Sequence, residues 1–425
     1  MILGLLILGM LLLLFLRVPV AFSMLLPCLL YVSWSPDITL GVALQRTMSG
    51  LDSFPLLAVP LFILTGYLSN AGGLADRLFH FLLCLLRRIP GSLGYVNVLS
   101  SLLFSWMSGA AVADAAGLGS VLVPAMKKRG YDEGFALGLT GASSLIGPMM
   151  PPSIPAIIYA VAAGASVGGL FFASILPALL LTGILCIAVA IYAARHPLPE
   201  AAEVQGVYLA QATYHAAPVL LTPVIILGGI LGGVMTPTEA AAVAAAYVGL
   251  LGIAFRSLSW AGLRESLLAT TTTTGSIMLI VAAASLFGWI IAREQGPQAM
   301  TALLTSMTDD PYVFLLLINL ALLVVGMLLE PVAALLIMVP ILMPAAREYG
   351  IDPLHLGVIM ILNLVIGLLT PPVGLVLYVL SSVTGAPVQR VIRGTLPFLL
   401  PLLVTLLIVT YVPALSLWLP KLLLK

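Results

Sequence analysis

Long apolar runs are the feature that most constrains how this chain can fold. Runs near or above the roughly 20 residues that cross a bilayer as a helix recur along its whole length, separated by short charged clusters. Open sheet edges cannot satisfy their backbone hydrogen bonds in lipid, so we expect these elements to be helices. The sequence therefore predicts an all-α polytopic membrane protein.

The composition excludes several other classes of protein. Of the 425 residues, 61% are hydrophobic and 8% are charged, whereas soluble domains have about 25% charged residues. This excludes a globular enzyme, a disulfide scaffold and a disordered chain. The net charge of +1 argues against a nucleic-acid partner. The three cysteines, in apolar segments without CxxC spacing, are typical of small buried hydrophobic residues.

The N-terminal apolar run has two interpretations. It resembles a signal peptide, but no basic residue precedes it and no small-residue cleavage site follows it, while Arg17 comes after the run. We expect a retained first span.

Charges and proline or glycine breaks delimit the apolar elements: 2–16, 18–34, 53–70, 91–107, 109–126, 134–164, 168–194, 216–235, 237–255, 270–292, 312–328, 332–346, 353–383 and 394–418. Short amphipathic pieces lie between them, at 38–51, 75–88, 198–214, 257–268 and 295–308. Two pairs of elements are joined too tightly to be independent spans. They predict two re-entrant helical hairpins, 91–126 and 312–346.

The basic residues predict an orientation. With both termini outside, in the periplasm, and both hairpins re-entering, 12 of the 17 basic residues lie inside, as the positive-inside rule requires. The first hairpin then opens to the cytoplasm and the second to the periplasm.

An internal repeat divides the chain into 1–195, a linker at 196–215, and 216–425. Matching residues stand 220 positions apart at Pro124/Pro344, Gly130/Gly350, Asp132/Asp352, Gly147/Gly367 and the proline pairs Pro151-Pro152/Pro371-Pro372. The loop charges orient the two repeats oppositely. Inverted repeats with broken helices, here predicted at 134–164 and 353–383, are typical of secondary transporters with sites near the bilayer midplane.

Proline-rich breaks are the first candidate sites. Gly147–Ser153 and Gly367–Gly374 each lie within a long apolar element, and their prolines remove N–H donors. The freed carbonyls and a half-helix C-terminus favour a cation, and the next half-helix N-terminus favours an anion. A simple proline kink is the alternative.

Acidic and basic side chains give further candidates, each with two interpretations. Asp114 and Glu330 at the hairpin tips are either functional intramembrane acids or acids that complement a helix N-terminus. Arg46 and Arg293 either attract an anionic substrate or anchor the chain at lipid headgroups. The four histidines do not cluster, and the HExxH and Walker A motifs are absent from the sequence. An enzyme or an ATP-driven pump is therefore not expected.

Several segments resemble the large membrane subunit of tripartite ATP-independent periplasmic (TRAP) transporters over nearly the whole chain: Ala71–Arg77, Ile89–Asn97, Ser108–Gly117, Gly147–Ser153, Thr236–Ala241 and Thr370–Gly374. The resemblance implies an elevator-type transporter in the bacterial inner membrane. It further implies import of an organic acid, such as sialic acid or a C4-dicarboxylate, with Na⁺. The implied partners are a small four-helix membrane subunit, here expected as a separate chain, and a periplasmic substrate-binding protein. Pro331 after Glu330 departs from the family pattern.

The mechanism we expect places one Na⁺ at each hairpin tip and its broken helix. Candidate residues for the first Na⁺ are Ser108, Gly109, Ser144, Gly147, Met150 and Pro151. Those for the second are Gly326, Leu329, Gly367, Thr370 and Pro372. Residues expected to contact or orient the substrate are Ser153, Asp114, Glu330, Gly374 and Arg46. The alternatives are a self-sufficient Na⁺- or H⁺-coupled anion transporter of the same architecture, and a passive channel.

Overall fold

The computed structural model describes residues 2–196 and 209–424, and every regular element in these ranges is a helix. Eight of the described helical segments are long and apolar enough to cross a membrane, and one of them, Phe54–Ala71, is a short 3-10 helix continued by an α-helix. The prediction of an all-α multi-span chain is confirmed. Most of the predicted linker, 196–215, lies outside the described residues.

The helices before the gap are α1 (Ile2–Phe15), α2 (Val20–Trp34), α3 (Leu40–Ser49), α4 (Ala58–Ala71), α5 (Leu74–Leu86), α6 (Ser92–Ser108), α7 (Ala111–Lys128), α8 (Glu133–Ser144), α9 (Ile154–Ala163) and α10 (Val167–Arg195). Those after it are α11 (Leu209–Leu231), α12 (Pro237–Ala254), α13 (Trp260–Arg293), α14 (Gly296–Met307), α15 (Pro311–Leu328), α16 (Pro331–Glu348), α17 (Pro353–Gly367), α18 (Leu375–Thr384), α19 (Val388–Tyr411) and α20 (Ala414–Leu423).

Two helices are interrupted where the prolines cluster. The first interruption separates α8 from α9, and the second separates α17 from α18. Each contains a Pro-Pro pair, Pro151-Pro152 or Pro371-Pro372, and both of these peptide bonds are cis. The helix stops there because a proline has no N–H to give to the ladder and its ring collides with the preceding turn.

Several boundaries differ from those expected; α11, for example, begins at Leu209 instead of 216. The sequence predicted an amphipathic piece at 257–268 and a separate span at 270–292, but α13 runs unbroken through both. No proline or glycine separates them, and threonine hydroxyls bond back to carbonyls one turn earlier, as Thr270 does to Ser266 at 2.7 Å. The expected element 394–418 is instead divided near Pro413, between α19 and α20.

Packing between the two halves of the chain brings the interruptions together. The helix pairs α6–α7 and α15–α16 are each joined by a two-residue connection, at 109–110 and 329–330. The second helix of each pair packs on the second half of the opposite interrupted helix, α7 on α18 and α16 on α9. Both connections and both interruptions therefore meet in one central region.

Buried amides join each helix pair to the interrupted helix of its own half. Asn97 on α6 donates to Thr140 on α8 at 2.7 Å. Asn363 on α17 donates to the side-chain oxygen of Asn319 on α15 at 2.8 Å. These bonds pair polar groups that would be costly to bury alone, while Asn363 Oδ1 has no partner among the described residues.

Candidate functional site

The connection between α6 and α7 touches the first interruption directly. Gly109 has a φ of +60°, and a Cβ added to it would lie 2.4 Å from the carbonyl oxygen of Pro152. On another side, a Cβ on Gly66 of α4 would lie 3.1 Å from the Met107 carbonyl oxygen. Only glycine lets the backbones approach this closely, so the tip is held between α4 and the interrupted helix.

Asp114 is buried beside this tip, and it does not cap α7. The N-cap of α7 is Ala110, which has no capping side chain, while Asp114 lies one turn inside the helix. Its Oδ1 accepts a hydrogen bond from the Ser108 hydroxyl. A Cβ on Gly147 would lie 2.4 Å from its Oδ2, an oxygen without a hydrogen-bond partner among the described residues. The carboxyl group therefore links the tip to the interruption.

The remaining candidates of the first interruption are buried within it. Ser144 donates to the Gly141 carbonyl at 2.8 Å. Ser153 donates to the Pro148 carbonyl and, as the N-cap of α9, accepts from Ala156 N–H at 3.1 Å. Met150 and Pro151 are buried in the turns between them. Six residues were expected at the first Na⁺ site. Of these, Ser108, Gly109 and Gly147 take part in the contacts between the α6–α7 connection and the first interruption.

The second connection is built differently. Glu330 is the N-cap of α16, and its carboxylate accepts from Val332 N–H at 3.1 Å and Ala333 N–H at 3.3 Å. Pro331 occupies the first helical position, where a missing N–H and a φ near −65° are favourable. The capping interpretation therefore describes Glu330, though not Asp114.

The second interruption contacts α15 through two glycines. A Cβ on Gly367 would lie 2.2 Å from the carbonyl carbon of Gly326, so the two backbones touch. Thr370 donates its hydroxyl to the Ile366 carbonyl at 2.9 Å, which leaves the oxygen free to accept. Gly374, with φ of +46°, is the N-cap of α18. Leu329 is buried and Pro372 is exposed. Their side chains are apolar, so either residue could offer an ion only its backbone carbonyl oxygen.

A cavity of about 430 Å³ lies between the two connections. Three helices begin at its wall: α7 at Ala111, α9 at Ile154 and α16 at Pro331. Its lining contains Glu330 and no Lys or Arg. Ser153 and Glu330 cap α9 and α16, whereas α7 has no side-chain cap. The N-terminus of α7 therefore leaves N–H groups and partial positive charge that favour an anion in the cavity. The volume lies in the usual range for small-molecule sites, about 300–1,000 Å³.

Sequence reasoning missed the polar wall of this cavity. Thr272, Thr273 and Ser276 of α13 line it, and the Thr273 hydroxyl also bonds the hydroxyl of Tyr67 on α4 at 3.0 Å. The signal was present as five consecutive threonines, 270–274, in an apolar span. Hydroxyls at this position can bond carboxylate or hydroxyl oxygens of a ligand.

Arg46 is not among the residues that line the cavity. Its guanidinium lies over the ring of Trp289 at 5.4 Å, and that of Arg293 lies 5.8 Å from the same ring. Arg293 also lies 3.9 Å from the Asp37 carboxylate. The structure thus gathers the two arginines around one tryptophan, away from the helix N-termini.

Comparison with known proteins places the chain in a family. The profile described as "Tripartite ATP-independent periplasmic transporter, DctM component" matches residues 7–415. The chain is 44% identical over 418 residues to the sialic acid TRAP transporter large permease protein SiaM of Vibrio cholerae, covering 96% of each chain. It is 41% identical over 389 residues to the C4-dicarboxylate TRAP transporter large permease protein DctM of Pseudomonas aeruginosa, covering 91% of each.

A solved structure supports the fold. The YdaH transporter of Alcanivorax borkumensis superposes with a TM-score of 0.64 over 87% of each chain, at 17% sequence identity. At that identity the likeness concerns the fold alone.

Proposed function

The chain belongs to the DctM component family of tripartite ATP-independent periplasmic transporters, and we propose that it carries an organic anion across the bacterial inner membrane using the sodium gradient. Membership of a transporter family confirms the expectation that the chain is not an enzyme.

The cavity between the two connections is the observation that carries this proposal. The uncapped N-terminus of α7 supplies positive potential without a basic side chain and α13 supplies hydroxyls, while α9 and α16 are already capped by Ser153 and Glu330. This partial positive charge can bind a carboxylate. The desolvation penalty is smaller than for a buried ion pair, because no basic side chain has to be desolvated as well. The relatives named above transport sialic acid and C4-dicarboxylates, and an organic acid of this kind is the proposed substrate.

Sodium ions are the proposed co-transported cations. Sodium is a hard cation that binds oxygen, and proline-broken backbone supplies carbonyl oxygens outside a helix ladder. One ion would lie among Ser108, Gly109, Ser144, Gly147, Met150 and Pro151, beside the free oxygen of Asp114. The other would lie among Gly326, Leu329, Gly367, Thr370 and Pro372. The charges of the two sodium ions offset that of the anion. The anion is therefore released more readily once the sodium ions have left, and the sodium ions are released more readily once the anion has left.

The proposed movement is that of an elevator. The α6–α7 and α15–α16 pairs would re-enter the membrane from opposite sides. They would slide together with the interrupted helices against a scaffold of outer spans. Each charge moved down the membrane potential contributes about 2.3 kcal/mol per 100 mV.

A periplasmic substrate-binding protein and a separate small four-helix membrane subunit are the proposed partners. Arg46 and Arg293, gathered around Trp289, lie outside in the proposed orientation and can attract acidic patches on the binding protein. Such steering is screened by salt, with a Debye length of about 8 Å at physiological ionic strength.

Uptake by proteoliposomes tests the coupling. The chain and its small subunit are reconstituted, and labelled sialic acid or succinate uptake is followed with and without a Na⁺ gradient and the matching binding protein. We expect uptake only when both are present. Uptake driven by Na⁺ without any binding protein would indicate the self-sufficient alternative, and gradient-independent flux would indicate a channel.

Thr370→Ala tests the second ion site. Removing one oxygen from a shell of about five or six should raise the Na⁺ concentration needed for half-maximal uptake, with little change in thermal stability. Thr384→Ala is the matched control, because its hydroxyl makes the same backbone bond, to Leu380, in the helix that follows the interruption. An unchanged Na⁺ titration in T370A would remove this residue from the site.

Proton coupling is the second candidate, favoured by one observation. Asp114 is fully buried with one oxygen unpaired among the described residues, which is where a transported proton could bind. Uptake driven by a pH gradient in Na⁺-free buffer, and lost in Asp114→Asn, would support it over sodium.

A further inference from the structure

A larger cavity, about 870 Å³, lies away from the proposed transport site. It opens between the C-terminal end of α10 and the first turns of α8 and α19. None of its lining residues lines the cavity between the two connections. The proposed transport mechanism makes no use of it.

One end of this cavity is basic. Three arginines, Arg195, Arg390 and Arg393, line it together with two acids, Asp132 and Glu133. Arg390 is paired with Glu133, which also binds Lys127. In the part of the chain that the structure describes, Arg195 and Arg393 have no carboxylate within ion-pair distance. The guanidinium groups of Arg195 on α10 and Arg393 on α19 can therefore bind one anionic group together.

The other end of the cavity is apolar and open to the side. Ile191 of α10 and Leu400 of α19 line it and are 49% and 69% exposed. Leu400 follows Arg393 by seven residues, which is about 10 Å along a helix. The wall thus changes from cationic to apolar within about 10 Å along α19.

Stacked aromatic rings line the cavity where these two ends meet. The rings of Phe135 and Tyr192 are 3.5 Å apart, and those of Tyr192 and His196 are 4.3 Å apart. Tyrosine is enriched at the level of lipid headgroups, where one end of the ring is wet and the rest is apolar. The stack is consistent with a cavity that straddles the membrane surface.

We propose that this cavity binds one anionic phospholipid. Its phosphate lies between Arg195 and Arg393, and one acyl chain lies along Ile191 and Leu400. Basic pockets between membrane helices on the cytoplasmic side are suited to such headgroups. A soluble organic anion would use the arginines and leave the apolar wall exposed, so the two ends of the cavity together favour a lipid.

The test uses the purified full-length protein in detergent and measures binding of dioleoylphosphatidylglycerol by native mass spectrometry. We expect one retained lipid, and binding roughly tenfold or more weaker in Arg195→Gln/Arg393→Gln. Arg87→Gln/Arg88→Gln is the matched control, because these exposed arginines lie in a predicted cytoplasmic segment outside the cavity. Equal weakening in both double variants would overturn the proposal.

Two further arms separate a lipid from a free phosphate compound and from a non-selective site. Ile191→Trp fills the apolar end and should weaken phosphatidylglycerol binding while both arginines remain. Glycerol 3-phosphate at millimolar concentration should not displace the lipid, and dioleoylphosphatidylcholine should bind more weakly. Displacement by glycerol 3-phosphate together with unchanged lipid binding in I191W would show a soluble-anion site and refute the lipid. Equal binding of the two lipids would refute the role of the arginines.

Discussion

At the residue scale, Asp114 and Glu330 show how two similar acids come to differ. Both follow a sharp turn in an apolar stretch, and the sequence left both interpretations open for each. Glu330 stands at the N-cap, where a side-chain oxygen reaches the N–H groups of the next residues. Asp114 stands four positions beyond its N-cap, and its carboxyl contacts Ser108 and Gly147 instead of the first N–H groups of the helix.

Gly147→Ala should disturb the first site by displacing Asp114. An added Cβ would lie 2.4 Å from Oδ2 of that carboxyl, and overpacking of this kind costs about 1–3 kcal/mol. We expect a lower unfolding temperature and a loss of uptake. Gly117→Ala on α7 is the control, because a Cβ there meets nothing within 4 Å. Equal behaviour of the two variants would mean that Asp114 has room to move.

At the element scale, matching buried amides hold each helix pair to its interrupted helix. Asn97 bonds Thr140, and Ser143 bonds Asn97 at 2.9 Å. Asn363 bonds Asn319, which itself donates to Thr410 at 3.0 Å. Because these bonds are buried, each pair is expected to move together with its interrupted helix.

Asn363→Ala should therefore destabilise the protein. It leaves the Asn319 side-chain oxygen buried without its donor, which costs about 1–3 kcal/mol. We expect a similar loss for Asn97→Ala, measured as a lower thermal unfolding temperature in detergent. Asn70→Ala, at an exposed position, is the control. A loss in only one half would show that the two linkages are not equivalent.

An ion-pair cluster at the helix ends joins α7, α8 and α19. Lys127 and then Arg390 bind the Glu133 carboxylate and lower its pKa from the ordinary value of 4.5. A carboxyl with a lowered folded-state pKa stabilises the fold above its ordinary pKa, and this contribution is lost as pH falls through the folded-state value.

Glu133→Gln should accordingly lower the unfolding temperature at neutral pH and converge with wild type in acid, below the lowered folded-state pKa of Glu133. The effect should be small, since exposed pairs contribute about 0.2–1 kcal/mol each. Glu265→Gln, an exposed acid on α13, should follow the wild-type pH profile. A difference between E133Q and wild type that persists in acid would assign the effect to packing instead of charge.

At the scale of the whole molecule, the interlocking of the two halves creates the central cavity. Neither half alone encloses it, because α7 and α9 come from one half while α16 and α13 come from the other. The predicted inverted orientation of the halves would place the two connections on opposite routes into this cavity, one from each side of the membrane.

Cysteine labelling tests this orientation. In a chain whose own cysteines are replaced by alanine, Lys127→Cys should react with a membrane-impermeant maleimide only from the cytoplasmic side. Arg347→Cys should react only from the periplasmic side. Labelling of both from one side would contradict the inverted repeat.

The sequence by itself determined the helices and their interruptions, because helix formation and proline breaks depend on neighbours within a turn. The breaks at Gly147–Ser153 and Gly367–Gly374 were predicted in this way. The continuity of α13 also depends on neighbouring residues. The hydrogen bonds from its threonine hydroxyls to carbonyls one turn earlier, however, were not predicted. Tertiary structure alone decided that Thr272 and Thr273 face the starts of α7, α9 and α16. It also decided that Asp114 meets Gly147. These contacts join residues far apart in the chain, and their pairing depends on how whole helices pack.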